Sequence, residues 1–343
     1  MLMSDFPAIL SLTVTNRCNL RCEMCGQWGA AGYMKEPAAR TSELPLAAWL
    51  RVIDEAAGHH PNLLVRGGEP FLFADIIPLL ARAKERGLAV SIDTNGTLLE
   101  RFAADIVRIG VDHLSISVDG DEKTHDSVRG VKGSFARIES GLAKLRKEAG
   151  RQGRPSPGAV LVFIISKKSY KALPELPDAA RRLGLKDIVI VPYYYFDSAT
   201  GAEYEKIMRE ELGCAANSWK GFHREGSGVD PEEFVTLLHE FKARLGDRNL
   251  IPWMELSEQD YRAWFGDCRT PAGKQECGSP RRLLDIQPNG DANFCIDFPD
   301  FVVGNINEHS VAEIWRSDRA EHFRRRIQKG LLPICARCGV KYV

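Results

Sequence analysis

The sequence of 343 residues lacks the features that mark several classes of protein. No stretch approaches the roughly 18 consecutive apolar residues that a transmembrane helix needs. The N-terminal residues show no positively charged start and no small-residue cleavage site, so we expect no signal peptide and a cytoplasmic location. The formal net charge is zero, with 46 basic and 46 acidic residues, which gives no electrostatic reason to expect nucleic-acid or membrane binding.

Cysteine is missing between Cys25 and Cys214, although the whole chain contains nine cysteines. The stretch "NRCNLRCEMC" alone contributes Cys18, Cys22 and Cys25. The last quarter contributes Cys268, Cys277, Cys295, Cys335 and Cys338. In a reducing cytosol, cysteines serve metal sites or chemistry more often than disulfides. Two groups at opposite ends of the chain therefore predict two metal sites.

Residues 1–196 alternate between apolar, β-branched runs and amphipathic segments. The runs that predict strands are "AILSLTVT", "NLLVRG", "LAVSIDTNG", "HLSISVDG", "GAVLVFIIS" and "DIVIVPYYY". Strands that alternate with helices are typical of a parallel sheet. Six such units are too few to close an eight-stranded barrel. We therefore predict an α/β fold whose core is an open, partial (β/α)6 barrel, with the ligand at the carboxyl ends of the strands.

The rest of the chain predicts two further regions. Residues 197–266 lose the alternation and predict two helices, at 202–212 and 231–245, in a connecting region rich in aromatic residues. Residues 267–343 predict a small domain with a hairpin, "LLDIQPNGDANFCI", whose Asn-Gly pair signals a turn. A single helix over 310–328 follows, with Ser310 and Glu313 in capping-box positions.

Three thiols in one loop are an unusual number of ligands. Thiolates suit zinc, Cu(I) or iron–sulfur clusters. A closed tetrahedral zinc site needs a fourth protein ligand. A [4Fe–4S] cluster held by three thiolates instead leaves one iron open for an outside ligand. The residues alone leave zinc and an iron–sulfur cluster as alternatives.

The run Cys18-Asn-Leu-Arg-Cys22-Glu-Met-Cys25 resembles the CxxxCxxC motif of radical SAM enzymes, which also follows the first strand. The resemblance implies that the open iron binds the amino and carboxylate groups of S-adenosylmethionine (SAM). An electron from the cluster then cleaves SAM, and the resulting 5′-deoxyadenosyl radical takes a hydrogen atom from the substrate. Met24 stands where the family often has an aromatic residue, and its polarizable side chain can accommodate this departure.

The resemblance also implies SAM contacts at the ends of the next two strands. "RGGEP" resembles the family's GGEP motif, in which Glu69 holds the methionyl amine. Gly67 and Gly68 would let the cofactor approach the backbone closely. Asn95, in "DTNG", would be a further contact with the cofactor.

Contacts with the rest of SAM are implied by the later strand ends. Ser117 and Asp119 of "SISVDG" would lie near the ribose hydroxyls. Arg129 of "THDSVRG" would clamp the methionyl carboxylate, a task suited to a forked guanidinium. A surface ion pair with Asp126 is the alternative role for Arg129. Val191 and Tyr193, near the end of the sixth strand, are implied contacts for the adenine.

The second group of cysteines supplies four ligands, namely Cys277, Cys295, Cys335 and Cys338. By spacing alone they suit zinc or a fully ligated [4Fe–4S] cluster. A hairpin with Gly290 before Cys295, followed by a late CxxC, resembles the SPASM and twitch extensions of radical SAM enzymes. Because no cysteine follows Cys338, we expect the twitch type, with one auxiliary cluster that moves electrons and has no open iron.

Three functions are compatible with these motifs. The first is oxidation of a small polar substrate, a sugar or aminocyclitol, with the auxiliary cluster taking an electron, as in the twitch-domain aminocyclitol dehydrogenases that the chain resembles. The second is an epimerase or peptide-modifying enzyme in which Cys268 donates a hydrogen atom. The third is a non-catalytic iron–sulfur protein, which the intact SAM motifs argue against.

The candidate catalytic residues are Cys268 and Asp197. Only seventeen residues precede Cys18, without a domain for recognising a leader peptide, which favours a small molecule over a peptide as substrate. An external electron donor such as flavodoxin or ferredoxin would be needed as a partner for the first cluster.

Overall fold

The computed structural model describes residues 4–28, 32 and 43–343, and in these residues ten strands form one sheet. The strands are β1 Ile9–Thr15, β2 Asn62–Gly67, β3 Ala89–Thr94, β4 His113–Ser117, β5 Gly158–Ile165, β6 Asp187–Pro192, β7 Asn249–Leu250, β8 Leu283–Ile286, β9 Asp291–Asn293 and β10 Gly304–Asn305. The order across the sheet is β10-β9-β8-β1-β2-β3-β4-β5-β6-β7.

Helices connect the strands and cover the outer face of the sheet. They are α1 Leu46–Ala56, α2 Ile76–Glu85, α3 Leu99–Ile109, α4 Glu122–Arg129, α5 Ser134–Gln152, α6 Leu176–Leu183, α7 Ser198–Leu212, α8 Pro231–Arg244, α9 Glu258–Gly266, α10 Val311–Arg316 and α11 Asp318–Gln328. Among the residues that the structure describes, no helix is long and apolar enough to cross a membrane.

Strands β1 to β7 pair in parallel, which confirms the predicted α/β fold with a partial (β/α)6 barrel. Side chains alternate between the two faces of each strand. Leu10, Leu12 and Val14 of β1 are wholly buried in the hydrophobic core. The residues between them, Ser11 and Thr13, are polar and belong to the opposite face. The same alternation along β2 to β4 places a polar face on the inside of the curved sheet.

The C-terminal hairpin extends this sheet, which the sequence did not predict. Strand β8 pairs in parallel with β1, and β9 returns antiparallel to β8. Buried Asp285 holds the junction together, because it accepts hydrogen bonds from Ser11 Oγ at 2.6 Å and Thr13 Oγ1 at 3.2 Å. The amides of Gln287 and Asn293 also donate to it. The proposed domain boundaries at 196 and 266 stay predictions.

One local prediction was wrong in detail. The helix predicted over 310–328 is two helices, because Ser317 adopts an extended conformation and its hydroxyl caps α11 at Ala320 N. The capping box of Ser310 and Glu313 on α10 is confirmed. The segment "THDSVRG" lies mostly in α4, and the 3-10 helix Tyr170–Glu175 directly precedes α6.

We predict that Asp285→Ala destabilises the junction between β1 and β8. The substitution leaves two hydroxyls and two amides without their buried acceptor, and we expect the free energy of unfolding to fall by about 2–4 kcal/mol. Asp285→Asn keeps one acceptor oxygen and should cost clearly less. Urea unfolding followed by circular dichroism measures both variants, and equal losses would contradict the assigned role of Asp285.

Candidate functional site

The loop after β1 brings Cys18, Cys22 and Cys25 together. Cys22 is buried, and the other two are partly exposed. Burial raises the pKa of Cys18 to about 12 and of Cys25 to about 11, and the neighbouring Cys22 thiol adds to both shifts. The three sulfurs therefore lie within electrostatic range of one another. Such a site needs positive charge, which a bound iron cluster supplies, before all three thiols become thiolates.

Helix α4 braces this loop. The backbone carbonyls of Arg129 and Val128 accept from Arg21 N at 3.2 Å and from Glu23 N at 3.4 Å. Arg129 Nη1 lies 3.7 Å from Cys22 Sγ and donates to it. The sequence motif thus corresponds to a helix whose C-terminal end contacts the cysteine loop with both backbone and side chain.

Arg129 forms its ion pair with Asp119 and not with Asp126. Its Nε donates to Asp119 Oδ2 at 2.5 Å, and both side chains are buried. The alternative pairing with Asp126 is wrong, because that carboxylate accepts from Ser134 Oγ and Phe135 N at the start of α5. Asp119 therefore orients Arg129, and a ribose contact for Asp119 or Ser117 stays a prediction.

The other end of the Arg129 guanidinium is suited to an anion. Its Nη2 is buried, and it has no hydrogen-bond partner in the part of the chain that the structure describes. A buried donor of this kind costs free energy unless a ligand satisfies it. The methionyl carboxylate of SAM fits this donor, since guanidinium groups bind carboxylates strongly.

Gly67 and Gly68 allow β2 to approach the start of the cysteine loop. Gly68 N donates to Thr15 O and Glu69 N donates to Arg17 O, each at 2.8 Å. A Cβ on Gly67 would lie 2.3 Å from Thr15 O, and one on Gly68 would lie 2.3 Å from Arg17 O. Gly67 also has φ +154°, a conformation that side chains rarely adopt. The glycines thus admit the backbone of the cysteine loop, and the close approach of the cofactor to them stays a prediction.

Glu69 is wholly buried beside this loop. Its carboxylate accepts from Thr94 Oγ1 at 2.9 Å, Asn95 N at 2.8 Å and Phe71 N at 3.2 Å. Burial raises the pKa of Glu69 to about 7, although these hydrogen bonds act in the opposite direction. An ammonium group beside the carboxylate would restore its charged form, which supports the expected contact with the methionyl amine.

Asn95 connects the end of β3 to the cysteine loop. Its Nδ2 donates to Asn19 Oδ1 at 2.8 Å and lies 4.0 Å from Cys18 Sγ. Its Oδ1 accepts from the backbone and hydroxyl of Thr97. Asn95 therefore orders the loop that carries the first ligand, and a direct contact with SAM stays a prediction.

The tyrosines after β6 face alternate sides. Tyr193 and Tyr195 stack with ring centroids 5.5 Å apart, whereas Tyr194 packs against Phe222 and Phe298. The Tyr193 hydroxyl donates to Ser227 O at 2.5 Å. The Tyr193 side chain is thus engaged in packing, which leaves its backbone and that of half-buried Val191 for the predicted adenine contact.

The four C-terminal cysteines line one apolar cavity. Burial raises the pKa of Cys295 and Cys338 well above the usual thiol range and that of Cys335 to about 12, with neighbouring thiols adding to each shift. Cys277 completes the set. The four thiols that line this cavity suit zinc or a fully ligated [4Fe–4S] cluster.

Cys268 and Asp197 lie close together outside that cavity. Asp197 caps α7 by accepting from Thr200 N at 2.7 Å, and Arg269 Nε is 4.0 Å from it. Cys268 is buried, and burial raises its pKa to about 11 although the Asp197 backbone donates to it. A protonated thiol is the form that could donate a hydrogen atom. The catalytic roles of both residues stay predictions.

The sequence did not predict a polar cluster on the inner face of the sheet. Arg66 Nη2 lies 3.3 Å from Asp297 Oδ1, which joins β2 to the loop after Cys295. Asp93 of β3 lies within electrostatic range of both groups. The alternation of apolar and polar residues in "NLLVRG" and "SIDTNG" could have predicted this cluster. It places Arg66 and Asp93 on the face opposite to the buried residues that precede them.

Comparison with known families agrees with this site. The model described as "Radical SAM superfamily" matches residues 12–163, and the model described as "Iron-sulfur cluster-binding domain", or SPASM, matches residues 277–339. Pre-heme d1 synthase of Dinoroseobacter shibae is 32% identical over 342 residues, which cover 95% of this chain and 77% of the relative. The chain therefore belongs to the radical SAM superfamily, and its cofactors are SAM and two [4Fe–4S] clusters.

Other relatives are more distant or aligned over less of their length. Fe-coproporphyrin III synthase of Methanosarcina barkeri is 31% identical over 71% of this chain, and the alignment spans only 62% of that relative. PqqA peptide cyclase of Granulibacter bethesdensis is 27% identical over 90% of this chain and 74% of that protein. The solved structure of Streptococcus suis SuiB bound to precursor peptide SuiA has a TM-score of 0.64 at 18% identity, and covers 99% of this chain and 71% of that one. This last likeness shows the fold alone.

We predict that Gly68→Ala removes the first cluster. The added Cβ would collide with Arg17 O and push the cysteine loop away from β2. Iron should fall from about eight to about four atoms per chain after anaerobic reconstitution, since the auxiliary site keeps its four thiolates. Gly150→Ala is the control, because that glycine, like Gly68, has no positive φ, and a Cβ there meets nothing within 4 Å. Equal iron contents in the two variants would contradict the role assigned to Gly68.

Proposed function

We propose that this protein is a radical SAM oxidoreductase that removes two electrons from a small polar substrate, a sugar or aminocyclitol. The observation that carries the proposal is the pair of unequal thiol sites on one sheet. Three thiols lie beside the buried donor of Arg129, and four thiols enclose a separate cavity. The first arrangement leaves an iron open for SAM, and the second leaves no iron open for substrate.

The proposed reaction balances with these two sites. SAM, held beside the first cluster by Glu69 and Arg129, would supply the group that abstracts a hydrogen atom from the substrate carbon that bears a hydroxyl. Oxidation to a carbonyl would also release the hydroxyl proton to a base and one electron, which the cluster held by Cys277, Cys295, Cys335 and Cys338 would accept. An external one-electron donor such as flavodoxin or ferredoxin reduces the first cluster for each SAM cleavage. We place the reaction in the cytoplasm, where such donors occur.

Both thiol sites are connected to one sheet, which supports the proposed transfer of an electron to the auxiliary cluster. Strand β8 pairs in parallel with β1, and antiparallel β9 returns from it towards Cys295. The ion pair between Arg66 and Asp297 connects β2 to the loop after Cys295 across the inner face. The Tyr194 hydroxyl, 3.3 Å from Gly339 N, adds a contact between β6 and the segment after Cys338. These links support transfer of the second electron to the auxiliary cluster.

A second candidate is an epimerase or peptide-modifying enzyme in which Cys268 donates a hydrogen atom. The similarity to PqqA peptide cyclase favours a peptide substrate, and the protonated Cys268 thiol favours hydrogen donation. Other relatives carry the names of heme and coproporphyrin synthases. Because one fold serves several substrate classes, the residues inside the barrel must distinguish among them.

We predict that replacing Cys335 and Cys338 by Ala removes only the auxiliary cluster. Reconstituted wild-type protein should contain about eight irons per chain and the double variant about four. The variant should still cleave SAM to 5′-deoxyadenosine with dithionite, because the first site is intact, but it should not complete substrate oxidation. An unchanged iron content, or zinc in place of the missing iron, would contradict the assignment.

We predict that Cys268→Ala leaves substrate oxidation within about threefold of wild type. The proposed dehydrogenase gives a product two mass units lighter and incorporates no deuterium at the reacting carbon from D2O. The epimerase alternative instead requires deuterium incorporation through the exchangeable thiol, and loss of turnover in Cys268→Ala while SAM cleavage continues. Mass spectrometry of the product, in H2O and in D2O, distinguishes the two outcomes.

A further inference from the structure

Two thiols of the first site receive hydrogen bonds of different kinds. Cys18 Sγ has two neutral donors, Leu20 N at 3.4 Å and Asn95 Nδ2 at 4.0 Å. Cys22 Sγ instead receives its hydrogen bond from the guanidinium of Arg129, whose Nη1 is 3.7 Å away. An arginine side chain is always protonated in a protein. A full positive charge therefore contacts the Cys22 ligand.

This charge is buried together with the thiol that it contacts. Arg129 is 7% exposed and Cys22 is 9% exposed. Charges that are removed from water interact more strongly than charges at a surface, and dissolved salt screens them less. Arg129 must therefore act strongly on any change of charge at Cys22 and at the cluster that Cys22 holds.

Asp119 opposes the charge of Arg129 from another nitrogen of the same guanidinium. Its Oδ2 accepts from Arg129 Nε at 2.5 Å. The carboxylate is held in place, because its Oδ1 accepts from Ile164 N at 3.4 Å and its backbone N–H donates to His125 Nδ1 at 3.2 Å. Asp119 thus compensates part of the positive charge near Cys22, while Arg129 lies between the carboxylate and the thiol.

Reduction of the first cluster changes the charge beside this pair. One electron from the external donor converts [4Fe–4S]2+ to [4Fe–4S]+, so the cluster and its thiolates become one unit more negative. Hydrogen bonds to the sulfurs and nearby charge set the reduction potential of such clusters. A guanidinium that donates to Cys22 stabilises the reduced form, and a carboxylate that compensates the guanidinium weakens this effect.

We propose that Arg129 raises the reduction potential of the first cluster through its hydrogen bond to Cys22, and that Asp119 limits the rise. This role is separate from the contact expected between Arg129 Nη2 and the carboxylate of SAM. The inference goes beyond the proposed function, since the first cluster must be reduced whichever substrate is used.

The test is a redox titration of the protein that carries both clusters, followed by electron paramagnetic resonance without SAM. In wild-type protein, the signal that changes when SAM is added identifies the first cluster. We expect Arg129→Met to lower the equilibrium constant for reduction of this cluster about tenfold, which is a potential about 59 mV more negative. Asp119→Asn should shift the potential in the opposite direction, because it leaves the charge of Arg129 uncompensated.

The matched controls are Arg108→Met and Asp105→Asn, which remove an exposed ion pair on α3 and should leave the potential unchanged. The auxiliary cluster is an internal control, and its potential should be the same in every variant. Three outcomes would overturn the inference: an unchanged potential in Arg129→Met, a shift of the same sign in Asp119→Asn, or equal shifts of both clusters.

A double variant keeps the test valid if Arg129→Met folds poorly. The single substitution leaves the buried carboxylate of Asp119 unpaired, which is destabilising, whereas Arg129→Met combined with Asp119→Asn removes both charges. Because Arg129 contacts the ligand and Asp119 acts through Arg129, the potential of the double variant should lie between those of Arg129→Met and wild type. A double variant with the wild-type potential would contradict the inference. Product formation by wild type tests the proposed function separately, so the two failures are distinguishable.

Discussion

The contact between the backbone of β2 and the start of the cysteine loop is the constraint on which the site depends. Two hydrogen bonds, from Gly68 to Thr15 and from Glu69 to Arg17, join the segments. Each bond requires the backbones to approach more closely than a Cβ allows. The same turn positions Glu69, whose carboxylate accepts hydrogen bonds from residues at the end of β3. The cluster loop and the cofactor-binding turn are therefore one packed unit.

The ionisable groups of the site are buried, and nearby groups of opposite charge do not fully compensate their charges. Glu69, Asp93 and the cysteine thiols all have raised pKa values because water is excluded from them. Arg129 is likewise buried, with one end of its guanidinium on Asp119 and the other without a partner in the described ranges. Such groups lower the stability of the empty protein and are satisfied by ligands. The first site is thus shaped for a positively charged metal cluster and a zwitterionic cofactor.

The two cluster sites depend on one continuous sheet. The hairpin that leads to Cys295 adds to the edge of the barrel through β8 and β1, and buried Asp285 holds that edge. The chain therefore does not simply append a second iron–sulfur unit to the first. Shared strand pairing fixes the orientation of both loops, and the polar inner face lies between them, where Asp297 meets Arg66.

Much of this protein was predictable from local sequence. The periodicity of "AILSLTVT", "NLLVRG" and the later strands determined a parallel α/β sheet, because strand and helix periods are local properties. The spacing of Cys18, Cys22 and Cys25 and the late CxxC determined two cluster sites with different numbers of ligands. The family comparisons confirm both conclusions. The side-chain alternation of the tyrosines after β6 was also a local property.

Contacts between distant segments were decided by the tertiary structure. The sequence did not show that β8 would pair with β1 or that Asp297 would form an ion pair with Arg66. It also did not show that Arg129 would pair with Asp119 and not with Asp126, which is closer to it along the chain. The spacing of these residues along the chain does not show that they meet. Which charged groups pair depends on which of them the folded chain buries side by side. Sequence by itself determined which chemical groups the protein has and at which strand ends they lie. Only the folded sheet determined which of those groups meet, because their close approach depends on packing across strands.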